Sequence, residues 1–269
     1  MSSAEKKQND LEAAKARQLM LRTALGYALA IAIFIVLIEV GHSSLPPYLF
    51  PSTTQILSNT VEALRHDWLD LLLTVVRLIF ALLTATLLGW LLGLLMGAFR
   101  SSVGLVAMPI LSILQAIPAA SWILVASLWI AEPEIRVWLI CFSLGLPLYA
   151  ISVYEGVRDL DGELLEAVEQ FRPTKWQVMY ILLIPQSFVY LLISMRTVSS
   201  LVLRVLVFAE LIGASTGVGA RMSDAQTNFD MPMIFAWTVI MVVLNFAMLW
   251  LIDIAERYLL SWRREVAIR

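Results

Sequence analysis

Six long apolar runs, each separated from the next by a more polar connection, organise the chain: 24–40, 71–99, 103–130, 137–154, 188–211 and 234–254. A hydrocarbon core about 30 Å thick takes about 20 helical residues to cross. The pattern therefore predicts an all-α polytopic membrane protein with six transmembrane helices. The first run is short and the next two are long, which tilt or a break accommodates. Pro109 and Pro118 fall inside the third run, so a kink or a division is expected there. The predicted organisation is an N-terminal segment (1–23), a first transmembrane helix (24–40), a five-helix core (71–254) that includes one long connection (155–186), and a C-terminal tail (255–269).

Lys and Arg set the direction of the spans. With the N-terminus inside, the inner segments hold Lys6, Lys7, Lys15, Arg17, Arg22, Arg100, Arg158, Arg172, Lys175 and the four arginines of the C-terminal region; the outer segments hold only Arg65, Arg136 and Arg221. Both termini are thus expected on the cytoplasmic side. The polar first 22 residues resemble the start of a signal peptide, but no small-residue cleavage site follows Val40, so a retained first span is expected.

Composition sharpens the picture by exclusion. The chain is 60% apolar and 15% charged, with a net charge of −2, and its basic residues are scattered, which leaves nucleic-acid binding without support. Cys141 is the single cysteine, so no disulfide framework exists within the chain. It and the isolated His42 and His66 make no zinc or haem ligand set. No glycine precedes a lysine anywhere, so the usual phosphate-binding loop for ATP is missing.

The connection 155–186 carries more structure than a loop needs. Leu164, Ala167, Val168 and Phe171 recur at i, i+3, i+4, i+7, the stripe of a short amphipathic helix. Asp161 is its candidate N-cap and Glu163 sits in its first turn. Pro173 stops that helix, and Thr174 opens a second one with Gln177 as its capping-box partner. The apolar stripe either packs on the chain's own helix ends, lies in the lipid interface, or seats in a partner's groove.

Within this segment Glu166-Ala167-Val168, three residues, Arg172, nine residues and Leu182-Leu183-Ile184-Pro185 keep the spacing of a known motif. The segment resembles the EAA loop of the permease subunits of type I ATP-binding-cassette (ABC) importers. Arg77, Gly89, Gly93, Gly97, Pro109, Ile117-Pro118, Trp129, the Leu-Phe-Pro-Ser at 49–52, and Ala209-Glu210 followed by Gly213-Ala214-Ser215 resemble the taurine, sulfonate, nitrate and bicarbonate branch of that family. The likeness spans roughly residues 45–262. Two positions depart from the motif: Val168 stands for its third residue, and Arg172 for a glycine that usually supplies a left-handed backbone.

The resemblance implies a type I importer permease fold and a homodimer in the bacterial inner membrane. It implies two cytoplasmic ATPase subunits that bind ATP and Mg, no cofactor on this chain, and an extracytoplasmic solute-binding protein. Glu163, Glu166, Ala167, Phe171, Arg172, Pro173 and Thr174 would couple the chain to the ATPases. The solute would be a small anion of the sulfonate, taurine, nitrate or bicarbonate kind, with pyrimidine-type precursors also compatible. A self-sufficient secondary transporter or channel is the alternative, but no internal repeat relates 24–154 to 155–269. An embedded enzyme would need a reactive constellation at depth that the spans lack.

Charges within the spans each demand a reason, since one at mid-bilayer costs about 2.5–3.5 kcal/mol. Arg77 is expected to snorkel or to pair with a neighbouring helix, and Arg196 to reach the inner interface. Arg204 is deeper, about 26 Å along the helix from Ser187 and about 13 Å from Gly213. Glu210, six residues on, is off its face. Arg204 therefore either makes a buried inter-helix ion pair or faces a watery path as an anion-attracting group. Gln115, Ser121 and Trp122 interrupt the third span and either pack or line that path. The candidate path residues are Arg77, Gln115, Ser121, Trp122, Arg204 and Glu210. Gly89, Gly93 and Gly97 share one helical face and serve either intrachain packing or a dimer seam. Residues 212–232, with three glycines close together, read as a pliable outer loop with a gating or docking role.

Overall fold

The computed structural model describes residues 3–46, 49–159, 170–172 and 174–260, which are helical with no strand among them. The long helices are α1 (Ser3–Ser44), α2 (Thr53–His66), α3 (Trp68–Ala98), α4 (Leu105–Ala116), α5 (Ala119–Trp129), α6 (Pro133–Arg158), α7 (Ile184–Gly213), α8 (Val218–Thr227) and α9 (Met231–Leu259). Two π-helical stretches, Arg100–Gly104 and Met179–Leu183, lead into α4 and α7. Five helices are long and apolar enough to span a bilayer, and α4 with α5, bent by 90° at the break, passes the same test only as a pair, either a broken span or a re-entrant loop. The break falls at Pro118 rather than Pro109: Ile117 before it is extended (ψ 122°), as the clash with the proline ring requires, whereas Pro109 stays inside α4.

The centre of the bundle is α3 packed lengthwise on α6, with α7 against both. Lipid tails give no hydrophobic drive for helix association, so close backbone approach and dispersion must supply it. The glycine stripe of α3 makes that approach, and it does so within the chain. A Cβ on Gly89 would lie 2.7 Å from Tyr149 Cβ, one on Gly93 2.4 Å from the Ala150 carbonyl oxygen, and one on Gly97 2.4 Å from Val157 Cγ1. Tyr149, Val153, Val202, Leu206 and Ala209 fill the core around this seam.

Two helices have no counterpart among the predicted spans. Helix α2 begins with a capping box in which the Ser52 N–H donates to Gln55 Oε1 (2.9 Å) and the Gln55 N–H to Ser52 Oγ (3.3 Å). Its buried Ala63 joins Val218, Trp237 and Ile240 in a small second core beside α9. Helix α8 occupies much of the stretch that reads as a pliable loop, with Val218, Gly219 and Ala220 buried against the spans. By contrast α1 stands at the periphery. Ile38 is buried, Gly41 meets the Phe50 ring, and Glu39 Oε1 accepts the Thr53 N–H (3.0 Å).

Candidate translocation face and coupling segment

Asp70, Thr74 and Arg77 follow one another at i, i+4 and i+7, so they stand on one face of α3, toward α7 and α8. Arg77 Nη1 donates to Glu210 Oε1 (2.7 Å) and to the Thr216 carbonyl (2.8 Å). Its Nε donates to Glu134 Oε2 (2.8 Å), and its Nη2 pairs with the same carboxylate and with Thr216 Oγ1. Glu210 is fully buried and also accepts from Thr74 Oγ1 (2.9 Å). Arg221 of α8 reaches Asp70 Oδ2 (2.7 Å). Arg77 and Glu210 thus turn into the protein against each other, and Glu134, which the sequence reading passed over, is the second acid on Arg77. Removing one partner of such a buried pair costs about 3–5 kcal/mol, because the other charge is stranded. The sequence signal for the cluster was the single-face spacing of Asp70, Thr74 and Arg77.

Arg196 forms ion pairs with Asp253 (2.6 Å) and Glu256 (3.1 Å), which tie α7 to α9. Arg204 differs. It lies on the exposed face of α7, its Nε donates to the Ser200 carbonyl one turn back (3.0 Å), and among the described residues it has no carboxylate partner. The inter-helix ion pair left open by the sequence is therefore absent from the described residues. Beside it runs a groove of about 630 Å³ between α7 and α9, lined by Arg204, Val207, Phe208, Met222, Thr238 and Asn245 among others. A second pocket of about 460 Å³ shares Arg204 and Phe246 with it and includes Thr197, Ser200 and Asp253 in its lining. The arrangement places one guanidinium with spare donors beside a groove lined by both apolar and polar side chains.

At the broken span Gln115 and Ser121 are exposed on the surface of the chain, while Trp122 is half-buried. The Trp122 indole N–H and the Ser127 hydroxyl are buried without a hydrogen-bond partner among the described residues. Trp129, at the end of α5, is 81% exposed, so this helix pair presents a large apolar surface on the chain.

The segment between α6 and α7 is described from residue 170 on, Pro173 excepted; Glu163, Glu166, Ala167 and Pro173 lie outside the described residues. Phe171 is 86% exposed. Arg172 has φ 48°, the left-handed conformation that the motif glycine would adopt freely. For an L-residue that conformation costs about 1–2 kcal/mol. The Thr174 N–H donates to Gln177 Oε1 (2.7 Å) and the Gln177 N–H to Thr174 Oγ1 (3.4 Å), the reciprocal bonds that the sequence spacing predicts. Met179 and Leu183 then pack on the core, and a cleft of about 580 Å³ separates this segment from Gly97–Ser102. Trp176 and Tyr180 remain exposed.

A family model for the inner membrane component of binding-protein-dependent transport systems matches residues 89–260. The chain is 29% identical over 167 residues to the aliphatic sulfonates transport permease protein SsuC of Bacillus subtilis, a match spanning 61% of this chain and 60% of that protein. It is 28% identical to the formylaminopyrimidine transport permease protein ThiX of Halalkalibacterium halodurans, over 81% of this chain and 88% of that one. To the taurine transport system permease protein TauC of Escherichia coli it is 24% identical, over 74% and 72%. In fold it is similar to a chain of the MetNI methionine ABC transporter in inward-facing conformations, with a TM-score of 0.58 and 15% identity, covering 71% of this chain and 97% of that one. With five helices long enough to span a bilayer, the bent α4–α5 pair, and a family match that runs from within α3 to the end of α9, the chain belongs to the binding-protein-dependent transport system inner membrane components, permease subunits of ABC transporters and not enzymes.

Proposed function

We propose that this chain forms half of the translocation path of an importer for a small organic or inorganic anion, working as a homodimer with two cytoplasmic ATPases and an extracytoplasmic binding protein. The observation that carries the reading is Arg204: a guanidinium near the middle of α7, without a carboxylate partner among the described residues, beside a groove of about 630 Å³. An unpartnered charge is costly in a membrane, and an anionic solute is what offsets that cost. The names of SsuC and TauC, both permeases for sulfonated solutes by their names, are consistent with such a solute.

The charge bias of the connections supports cytoplasmic N- and C-termini. In that orientation the 155–186 segment faces the cytosol. Its exposed Phe171 and Trp176, together with Glu163, Glu166, Ala167, Arg172, Pro173 and Thr174, supply the apolar and polar contacts of a short helix seated in an ATPase groove. The ATPases bind ATP and Mg; their closure draws the two coupling segments together and opens the outer side, and hydrolysis returns the path inward. Gln115, Ser121 and Trp122 at the break of the third span border the same path. Arg77 and Glu210, buried against each other, act through the helices they join.

The test is uptake into proteoliposomes holding the complete transporter. Arg204→Gln is expected to cut uptake by at least tenfold, the worth of a charge-assisted contact of about 1.5–3 kcal/mol, while the complex assembles in full. Wild-type uptake by that variant, or uptake driven by an ion gradient without ATPases, overturns the reading.

A further inference from the structure

Helix α2 has 14 residues, about 21 Å at the helical rise, and is too short to cross a bilayer. Both its ends are nonetheless tied to spans. At its start the Thr53 N–H donates to Glu39 Oε1 of α1 (3.0 Å), and His42 Nδ1 lies 2.8 Å from the Phe50 carbonyl oxygen. At its other end only Asp67 separates it from α3. On the way it crosses the first turns of α9: the Phe50 ring centroid is 5.4 Å from that of Phe235, and Ala63 is buried with Trp237 and Ile240. The helix therefore lies at the level where α1, α3 and α9 leave the membrane, all on one side.

Around its axis α2 divides into three arcs rather than two. Ile56 and Ala63 are buried against the protein, with Thr60 half-buried between them. Leu57, Val61 and Leu64, at i, i+4 and i+7, fall within about 60° of one another and are all exposed. Ser58, Glu62 and Arg65 form the third arc, also exposed. A helix with its free surface in water carries polar residues round all of that surface, and one roofed by a partner carries apolar residues there. Here the free surface is half apolar and half polar, as at a boundary between the two media. The apolar half does not end with α2, since Trp68, Leu69, Leu72 and Val76 continue it as exposed side chains into α3. Acyl chains border the other end as well: α1 is exposed on every side from Leu25 to Leu37.

We infer that α2 is an interfacial lipid-binding helix: Leu57, Val61 and Leu64 rest on the acyl chains just below the headgroups, while Ser58, Glu62 and Arg65 face water. Trp68 marks the same level, where an indole sets its apolar body among the chains and its N–H among the headgroups. Because Ala63 and Ile56 bind the other side of α2 to the protein, the helix holds the ends of α1, α3 and α9 at one depth in the bilayer. The leaflet is the outer one in the orientation proposed above. The inference needs neither that orientation nor the solute, so it stands or falls separately from the proposed function.

The experiment uses the complete transporter in phospholipid vesicles, with Cys141→Ala removing the one native cysteine. Single cysteines are introduced by Leu57→Cys, Val61→Cys and Leu64→Cys on the apolar arc, and by Ser58→Cys and Glu62→Cys on the polar one, and each carries a nitroxide label. All five sites are exposed, so the substitutions leave the packing of α2 intact. Collision of each label with oxygen, which concentrates in the bilayer, is compared with collision with a water-soluble nickel chelate. The labels at 57, 61 and 64 are expected to favour oxygen, at a depth of about 5–10 Å below the headgroup boundary. Those at 58 and 62 are expected to favour the chelate. Chelate preference at all five sites overturns the inference, because α2 then stands in water. Shielding of 57, 61 and 64 from both reagents overturns it too, because a second copy of the chain or another protein then covers the arc.

Discussion

Replacing Arg172 by glycine separates a backbone cost from a side-chain role in the coupling segment. Its φ of 48° costs an L-residue about 1–2 kcal/mol. Glycine removes that cost but gives back about 0.4–1 kcal/mol through the greater freedom of the open segment. The net gain is about 0.5–1 kcal/mol, which lowers the population of the locally open segment about two- to fivefold. The strain sits next to the turn in which the Val178 N–H bonds the Thr174 carbonyl (3.1 Å), so that is where the gain is read. Amide hydrogen exchange of the purified chain in detergent, resolved to residues 174–183, reports such local opening directly. The decisive comparison is a series. Arg172→Ala keeps the Cβ and therefore the strain, while removing the charge; Arg172→Asn tolerates the left-handed region better. The expected order of protection is Gly above Asn, with Ala and wild type together below. If Arg172→Ala protects as well as Arg172→Gly, the guanidinium and not the backbone sets the stability of the turn, and the reasoning fails.

Two further predictions follow from packing and exposure. Gly93→Val places its Cβ 2.4 Å from the Ala150 carbonyl oxygen and is expected to destabilise the chain by about 3 kcal/mol or more, seen as a lowered melting temperature and yield; Gly26→Ala, with nothing within 4 Å, leaves both unchanged. Phe171→Asp, at a side chain 86% exposed, is expected to leave the melting temperature of the isolated chain within about 2 °C of wild type while abolishing co-purification of the ATPase. A stable ATPase complex with that variant would remove Phe171 from the coupling surface.

The family identification was within reach of the sequence because its motif pieces are local: the Glu166 to Pro185 spacing, the glycines at 89, 93 and 97, and the proline pair in the third run. The reciprocal cap between Thr174 and Gln177 was readable for the same reason, since a capping box closes over three residues. A capping box of the same kind at Ser52 and Gln55 announced α2, but the helix it opens is amphipathic and short, and a search for apolar runs passes over it. Helix α8 carried a weaker signal still. Its N-terminal donors are satisfied from α3 and α7, so nothing in its own residues marks where it starts.

Bilayer thickness and the helical rise act on consecutive residues, so the sequence alone determined that the chain spans the membrane, about where each span lies, and that the third is kinked or divided at a proline; that Pro118 and not Pro109 breaks it came from the structure. Which charge meets which was a matter for the tertiary structure. Arg77 and Glu210 are 133 residues apart and meet because α3 and α7 pack on α6 and on each other. That packing depends on Gly89, Gly93 and Gly97 admitting the α6 backbone, and the stripe by itself left the partner helix open. Arg204 lies in the same helix as Glu210 but points elsewhere, six residues away on a helix that repeats every 3.6. Its lack of a carboxylate partner among the described residues could be established only once every neighbouring helix had a place.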